Sequence, residues 1–256
     1  MLAAQPTGWL PDRVTLPASG DRVDLGEHGE AVLEALPEGF LLRVPRTTRR
    51  HNATLALSFL GADPPVARLN GREVRLTLRH AEMLTVLALH PAGLTADQLA
   101  TGLYGPAGNP VSVRAEVHRL RAQLAPHVLH TQPYRLDANV QADFLQVRAT
   151  LGADQLAEAV DSYRGPLLPR SESPAIRSER EELFAALRRT VLARGDMHAM
   201  WQLASTPDGA TDQELAEHLL RALPRTDPRR EVVLARTADE VGGYPLHTKP
   251  NTRDTD

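Results

Sequence analysis

Apolar residues in the segment 110–124 recur with the period of an α-helix. The i, i+4, i+7, i+11 spacing, which places side chains on one helical face, is occupied by Val113, Val117, Leu120 and Leu124. Pro110 stands just before this run, and proline is tolerated at a helix start. The pattern therefore predicts a helix over 111–124 with one buried face and arginine-rich remaining faces.

Two further helices are predicted upstream of this one. The first covers about 79–90 and ends at the segment His-Pro-Ala-Gly of residues 90–93. The second begins after Thr95, a typical N-cap residue, with Asp97 near the positive end of the helix dipole. It ends near Gly105, and a turn then leads into the 111–124 helix. The three helices give a helix-turn-helix pattern. A helix with an arginine-rich outer face is equally typical of a plain surface helix, so its neighbours decide the interpretation.

Strands are predicted on both sides of the three helices. Residues 67–78 alternate around Asn70-Gly71, the strongest short-range hairpin signal. Residues 128–137 indicate two short strands that meet near Gln132-Pro133. The predicted order is therefore hairpin, helix, helix, helix, hairpin.

This order, with the segments LTLRHAEML (76–84), LTADQL (94–99), HRLR (118–121) and YRL (134–136), resembles the winged-helix DNA-binding domain of the OmpR type. Within that type it is most similar to the actinobacterial SARP (antibiotic-regulatory) proteins. The resemblance covers about residues 54–140. It implies that the 111–124 helix enters the major groove of double-stranded DNA and that the wing, 128–137, lies on the adjacent backbone or minor groove. The candidate DNA-binding residues are Ser112, Arg114, Ala115, His118, Arg119, Arg121, Thr131 and Arg135.

The sequence departs from the family pattern at two places. Glu116 is expected on the exposed side of the 111–124 helix, where family members often have a neutral or basic residue. A glutamate there either accepts a hydrogen bond from cytosine N4 or repels phosphate. The wing is short, with no basic residue at its tip before Arg135. An arginine suits both guanine and phosphate contacts, so the sequence does not separate these roles.

Only helices are predicted after the wing. A pair over 143–151 and 153–163 is broken at Gly152, and a long helix covers about 173–194. Shorter helices follow near 197–204, 211–222 and 228–241, the second with Thr211 and Glu214 as a capping box. The segment YRGPLLP (163–169) and the Arg/Glu-rich helix after it resemble the bacterial transcriptional activator (BTAD) domain of SARP-type regulators. That resemblance implies tetratricopeptide-like (TPR-like) helix pairs, although no clean 34-residue repeat is visible.

These patterns predict an α+β protein of four segments. Residues 1–53 form an N-terminal segment that is partly disordered, a candidate remnant of a sensory domain, with a short helix near 29–37 and a strand at 39–45. Residues 54–140 form the winged helix with a small antiparallel sheet, residues 141–241 form the all-α TPR-like domain, and residues 242–256 form a disordered tail. The link 138–142 is too short and too apolar for a flexible spacer, so the two main domains are expected to pack together.

Composition narrows the class of protein. The 256 residues contain no cysteine, which excludes disulfides and thiolate metal sites and fits a cytoplasmic location. No apolar run reaches the length of a membrane span. The net charge is −3, but residues 62–140 carry eight arginines against six acidic residues and are the only positive segment. This is weak support for DNA binding, because phosphate binding depends on local clustering.

The search for catalytic chemistry is negative. The chain has no phosphate-binding loop, dinucleotide fingerprint, zinc-protease motif or nucleophile elbow, and no paired carboxylates or activated nucleophile are evident. We therefore expect no enzyme activity, no cofactor and no metal. The densest histidine cluster, His118, His127 and His130, is expected to face phosphate or solvent in preference to holding a metal ion.

Two functions fit these expectations. The first is a bacterial sequence-specific transcriptional regulator that binds DNA, with RNA polymerase as a candidate partner and homodimerisation as a candidate assembly. The second is a protein-interaction adaptor whose winged helix no longer binds DNA, motivated by the acidic C-terminal half. Convergence of Arg114, Arg119, Arg121 and Arg135 with His130 on one face favours DNA, and their scatter favours the adaptor.

Overall fold

The computed structural model describes residues 53–241 and three strands that precede them: β1 (Arg22–Asp24), β2 (Glu30–Leu36) and β3 (Gly39–Arg43). These strands form an antiparallel sheet in the order β1-β2-β3, within a compact unit of residues 1–50. The helix predicted over 29–37 is therefore wrong. β2 pairs on both sides, and this tertiary pairing overrides the local helix preference of its Ala, Glu and Leu residues. The strand predicted at 39–45 is confirmed, whereas the tail 242–256 lies outside the described residues.

The second unit, residues 51–256, begins with a sheet. Its first strands are β4 (Thr54–Ser58), β5 (Val66–Leu69) and β6 (Arg72–Val74), which pair antiparallel in sequence order. Asn70 and Gly71 connect β5 to β6 with φ of +50° and +80°. Two successive positive φ angles are what a two-residue primed turn requires, so the predicted hairpin is confirmed.

Three helices follow the sheet, each with the start that its sequence predicts. They are α1 (Leu78–Leu89), α2 (Ala96–Tyr104) and α3 (Pro110–Gln123). The Thr95 side chain accepts a hydrogen bond from the backbone N–H of Gln98, whose side chain accepts one from Thr95 N–H, a complete capping box. At the start of α3, Asn109 Oδ1 accepts from Val111 N–H at 2.8 Å, and Pro110 occupies the first helical position. The predicted three-helix order is confirmed.

After α3 the chain forms a hairpin and then returns to the sheet. Strands β7 (Leu129–Thr131) and β8 (Tyr134–Leu136) pair antiparallel. Strand β9 (Asn139–Ala142) pairs parallel with β4, so the sheet has the order β6-β5-β4-β9. The expected antiparallel sheet is confirmed for β4–β6, and the structure adds β9 in parallel, because the link 138–142 contains a strand that the sequence did not indicate. A parallel pair needs a long crossover, which α1–α3 and the hairpin provide.

Seven helices complete the described chain: α4 (Asp143–Gly152), α5 (Leu156–Ser162), α6 (Pro174–Arg194), α7 (Met197–Ala204), α8 (Pro207–Ala210), α9 (Gln213–Ala222) and α10 (Arg229–Val241). The capping box predicted at Thr211 and Glu214 is wrong. Asp212 caps α9 by accepting from Leu215 N–H at 2.7 Å, while Thr211 ends α8 and its hydroxyl donates to Asp208 O at 3.1 Å. None of the helices in the described range is long and apolar enough to cross a membrane.

The predicted combination of small sheets and many helices is confirmed, and the helical half packs directly on α1 and α2. α6 contacts α1 and α2. Buried Ser171 donates to the buried carboxylate of Glu82 on α1 at 2.5 Å, and Ser173 donates to Gly102 O on α2 at 3.0 Å. These contacts agree with the expectation that the link is no flexible spacer. Repetition of TPR-like pairs among α4–α10 stays a prediction.

Asp143 joins the end of β4 to the start of α4. Its Oδ2 accepts from the backbone N–H groups of Phe59 and Leu60 at 2.7 and 2.9 Å, and its Oδ1 accepts from Phe144 N–H at 2.8 Å. Burial raises the pKa of the Asp143 carboxyl, and the backbone N–H donors oppose that rise. One side chain thus fixes the first strand of the sheet to the helical half.

Candidate nucleic-acid interface

Helix α3 has the phase that its sequence predicts. Four apolar residues, which we call the buried seam, are at most 3% exposed: Val113, Val117, Leu120 and Leu124. They join a core that also contains Leu84 and Leu87 of α1 and Leu99 and Leu103 of α2. Leu136 of β8 is partly buried and packs against this core.

The side of α3 away from the core carries no exposed acidic residue. Its exposed residues are Val111, Ser112, Arg114, Ala115, His118, Arg119, Ala122 and Gln123. Five of the predicted DNA-binding residues belong to this set, and Arg121 is half-buried beside it. The outward face is therefore neutral or basic along its whole length.

Glu116 is not fully exposed, in contrast to the expectation from sequence. Its carboxyl group is 22% exposed and lies between α1 and Arg119. One oxygen is 2.5 Å from Arg119 Nη1, and the other is 3.3 Å from Nε2 of His80, a buried residue of α1. The second ring nitrogen of His80 lies 3.0 Å from Gln123 Oε1. Helical phase puts Glu116 at the border of the buried seam, where His80 provides it with a partner.

The three arginines of α3 differ in the ion pairs and hydrogen bonds that they form within the protein. The Arg119 side chain is 64% exposed but forms the ion pair with Glu116. Arg121 is half-buried, and its Nη2 donates to Pro126 O at 3.1 Å beyond the helix end. Arg114 is exposed and has no side-chain partner among the described residues. Arg114 is thus the arginine of α3 most available to an external anion. The i,i+3 spacing of Glu116 and Arg119 could have indicated their ion pair, whereas the contact of Arg121 with Pro126 O has no local sequence signal.

The β7–β8 hairpin is held against the helices by backbone hydrogen bonds. Leu94, between α1 and α2, exchanges two of these bonds with Tyr134 of β8, both 2.9 Å long. Gly93 precedes this contact with φ of +94°, and a Cβ at this position would lie 2.7 Å from Pro133 Cγ. Glycine is therefore required where the connection passes under the hairpin.

The hairpin presents a mixed polar surface. Thr131 is exposed near its tip, and Arg135 is half-buried without a side-chain partner in the described part of the chain. His130, directly opposite Arg135 on the paired strand, has Nε2 2.8 Å from Asp137 Oδ2. Arg135 and His130 share one face of the hairpin. Within the described residues, no group of three or more His, Asp or Glu side chains is arranged to hold a metal ion.

The cationic side chains of α3 lie along two edges of its outward face. Arg114 and Arg121 are seven residues apart and therefore lie on the same edge, whereas Ser112 and Arg119, also seven apart, lie on the other. The arginines of α3 thus flank the outward face and are not scattered around the helix.

No family model matches this chain. The chain is 34% identical over 180 residues to an uncharacterized 47.3 kDa protein encoded in the thcA 5′ region of Rhodococcus erythropolis. The alignment spans 70% of this chain and 41% of that relative. A solved structure of Mycobacterium tuberculosis EmbR, in complex with a low-affinity phosphopeptide, aligns with 75% of this chain and 58% of its own, at a TM-score of 0.42 and 19% identity. Neither similarity assigns a function to this chain.

Proposed function

We propose that this protein is a sequence-specific DNA-binding transcriptional regulator with an OmpR-type winged helix. Helix α3 lies in the major groove of double-stranded DNA, and the β7–β8 hairpin acts as the wing against the adjacent backbone. Residues 141–241 serve as an activator-type domain of the SARP kind, through which RNA polymerase or a second copy of the chain is contacted. The proposal includes no catalytic activity and no cofactor, and it places the protein in the bacterial cytoplasm.

The observation that carries this proposal is the charge of the outward face of α3. A helix that enters a groove between two phosphate backbones must not present uncompensated carboxylates to them. On α3 every exposed residue is neutral or basic. The Glu116 carboxylate forms an ion pair with Arg119 and lies 3.3 Å from Nε2 of His80. The glutamate that sequence analysis regarded as an obstacle is thus compensated within the protein.

The N-cap arrangement supports the same proposal. The α2–α3 connection ends at Asn109, whose side chain caps α3, so the first turn of α3 is rigid where base contacts are expected. The hairpin is fixed to the α1–α2 connection through Leu94 and Tyr134. Both candidate DNA-contacting elements are therefore held by the same three-helix core, as a preformed binding surface requires.

The test is selection of DNA by the full chain. The purified protein is incubated with duplexes that carry a randomised central segment, and the bound duplexes are recovered and sequenced over several rounds. We expect one enriched motif, bound with an affinity that falls as the salt concentration rises.

Arg114→Ala supplies the residue-level arm of this test. Loss of one phosphate contact is expected to lower the salt slope of binding by about one unit for motif and scrambled duplex alike, whereas loss of a guanine contact weakens the motif alone. The matched control is Arg225→Ala, which removes an exposed arginine between α9 and α10 and is expected to leave binding unchanged. If no motif is enriched, a protein-interaction adaptor becomes the better assignment. If a motif is enriched but Arg114→Ala binds like wild type at every salt concentration, Arg114 does not contact DNA.

A further inference from the structure

The outward face of α3 contains a second line of regularly spaced residues. Val111, Ala115, His118 and Ala122 follow the same i, i+4, i+7, i+11 spacing as the buried seam and are all exposed. This line, which we call the outward stripe, begins two residues before the seam. At about 100° per residue, that offset places the stripe on the opposite side of the helix.

Three of the four side chains of the outward stripe are short and apolar, and the fourth is His118. Two are alanines, and Val111 is 63% exposed, one of the few large hydrophobic residues exposed among those described. A single exposed valine needs no explanation. Here, however, the valine is aligned with the alanines, so that a partner can approach the helix backbone closely along the stripe.

The flanks of the stripe define the kind of partner. Arg114 and Arg121 lie along one edge, and Ser112 and Arg119 lie along the other. An apolar centre between two cationic edges is complementary to the DNA major groove, where phosphates form both rims and the C5-methyl group of thymine projects from the floor.

We propose that Val111 and Ala115 contact thymine methyl groups, so that the DNA site read by α3 has thymine opposite the start of the helix. This inference rests on the proposed function, because it requires α3 in the major groove. It goes further by naming a base and the residues that select it. Apolar contact with this methyl group is a recognised way to distinguish thymine from other bases. The apolar area of one methyl group corresponds to about a fourfold change in affinity.

Replacement of thymine by deoxyuridine tests the inference, because it removes only the methyl group and preserves base pairing. In the enriched motif each thymine is replaced singly by deoxyuridine, and affinity is measured for wild type, Val111→Ala and Val232→Ala. Val232 is an exposed valine of α10 and serves as the matched control. We expect one or two positions at which deoxyuridine weakens binding about fourfold for wild type and Val232→Ala, and clearly less for Val111→Ala.

The outcomes separate the inference from the function on which it rests. If wild type binds the motif but no deoxyuridine changes its affinity, or if Val111→Ala keeps the full sensitivity at every sensitive position, the thymine contact is refuted and DNA binding stands. A motif without thymine has the same consequence. If no motif is enriched at all, the proposed function itself fails.

Discussion

The phase of α3 determines which side chains can meet DNA, and one substitution made at two positions tests that phase. Val117 is 3% exposed in the buried seam, whereas Val111 is 63% exposed on the outward stripe. Val117→Ala removes two buried methyl groups, about 1.6 kcal/mol of transfer free energy, and the small cavity left behind adds to this cost. We expect a loss of about 2 kcal/mol in the free energy of unfolding. Val111→Ala removes little buried area and introduces a better helix former, so its effect is expected within about 0.5 kcal/mol of zero.

Urea titration followed by circular dichroism measures both variants, and thermal unfolding checks the result. For a chain of this size a loss of 2 kcal/mol lowers the Tm by about 4–8 °C. Equal slopes of the urea transitions are needed before midpoints are compared, since a changed slope reports a changed unfolded or native state. If Val111→Ala costs as much as Val117→Ala, or if Val117→Ala costs nothing, the buried seam and the outward stripe are assigned to the wrong sides.

Three further predictions concern polar side chains that have partners within the protein. Ser171→Ala removes the hydroxyl that donates to the buried Glu82 carboxylate at 2.5 Å. We expect the free energy of unfolding, measured by urea titration, to fall by about 1.5–3 kcal/mol. An unchanged midpoint would show that the stability of the protein does not depend on this contact. Burial raises the pKa of Glu179 above its ordinary value of 4.5, so its contribution to stability is greatest below that value and is lost as pH rises through the folded pKa. The stability of Glu179→Gln relative to wild type is therefore expected to increase as pH rises above 4.5, and parallel stability profiles would contradict this. Arg121→Ala loses a hydrogen bond to Pro126 O and is expected to lower the free energy of unfolding by about 1 kcal/mol. The DNA binding of this variant must therefore be measured at a temperature where it is folded. A thermal midpoint equal to that of wild type would contradict a structural role for Arg121.

The elements predicted well are those specified by local signals. The Asn70-Gly71 turn needs only its own two positive φ angles, and α2 needs only Thr95 and Gln98 to close its capping box. The buried seam follows from helical period alone. In each case a few neighbouring residues determine the conformation, so the local sequence is sufficient to predict it.

The predictions that failed depend on partners distant in the chain or on a choice between adjacent residues. β2 has helix-favouring residues, and only pairing with its neighbours on both sides makes it a strand. β9 is a strand because β4, more than eighty residues earlier, accepts it in parallel register. Thr211 and Asp212 are both good N-cap residues. Thr211 is the C-cap of the short helix α8, so Asp212 is the N-cap of α9.

The positions of the candidate site residues could be predicted from the sequence, but most of their contacts within the protein could not. The residues of the outward face follow from the phase of α3, so Arg114, His118 and Arg119 are found where the sequence places them. Glu116 also lies 3.3 Å from Nε2 of His80, thirty-six residues away on another helix. No local pattern reports that contact. The Arg119–Glu116 pair is an i,i+3 contact that the sequence allows, whereas the hydrogen bond from Arg121 to Pro126 O is seen only in the structure.

The central claim is that the outward face of α3 lies against the bases of DNA, and photocrosslinking tests it most directly. Because the chain has no cysteine, Ala122→Cys on α3 and Val232→Cys on α10 each provide one attachment site for a photoactivatable reagent. Both positions are exposed, so labelling is expected to leave the fold unchanged. On the enriched duplex, we predict that irradiation crosslinks the α3 probe to bases within the motif and leaves the α10 probe uncrosslinked. Equal crosslinking from both positions, or crosslinking from α10 alone, would contradict the account.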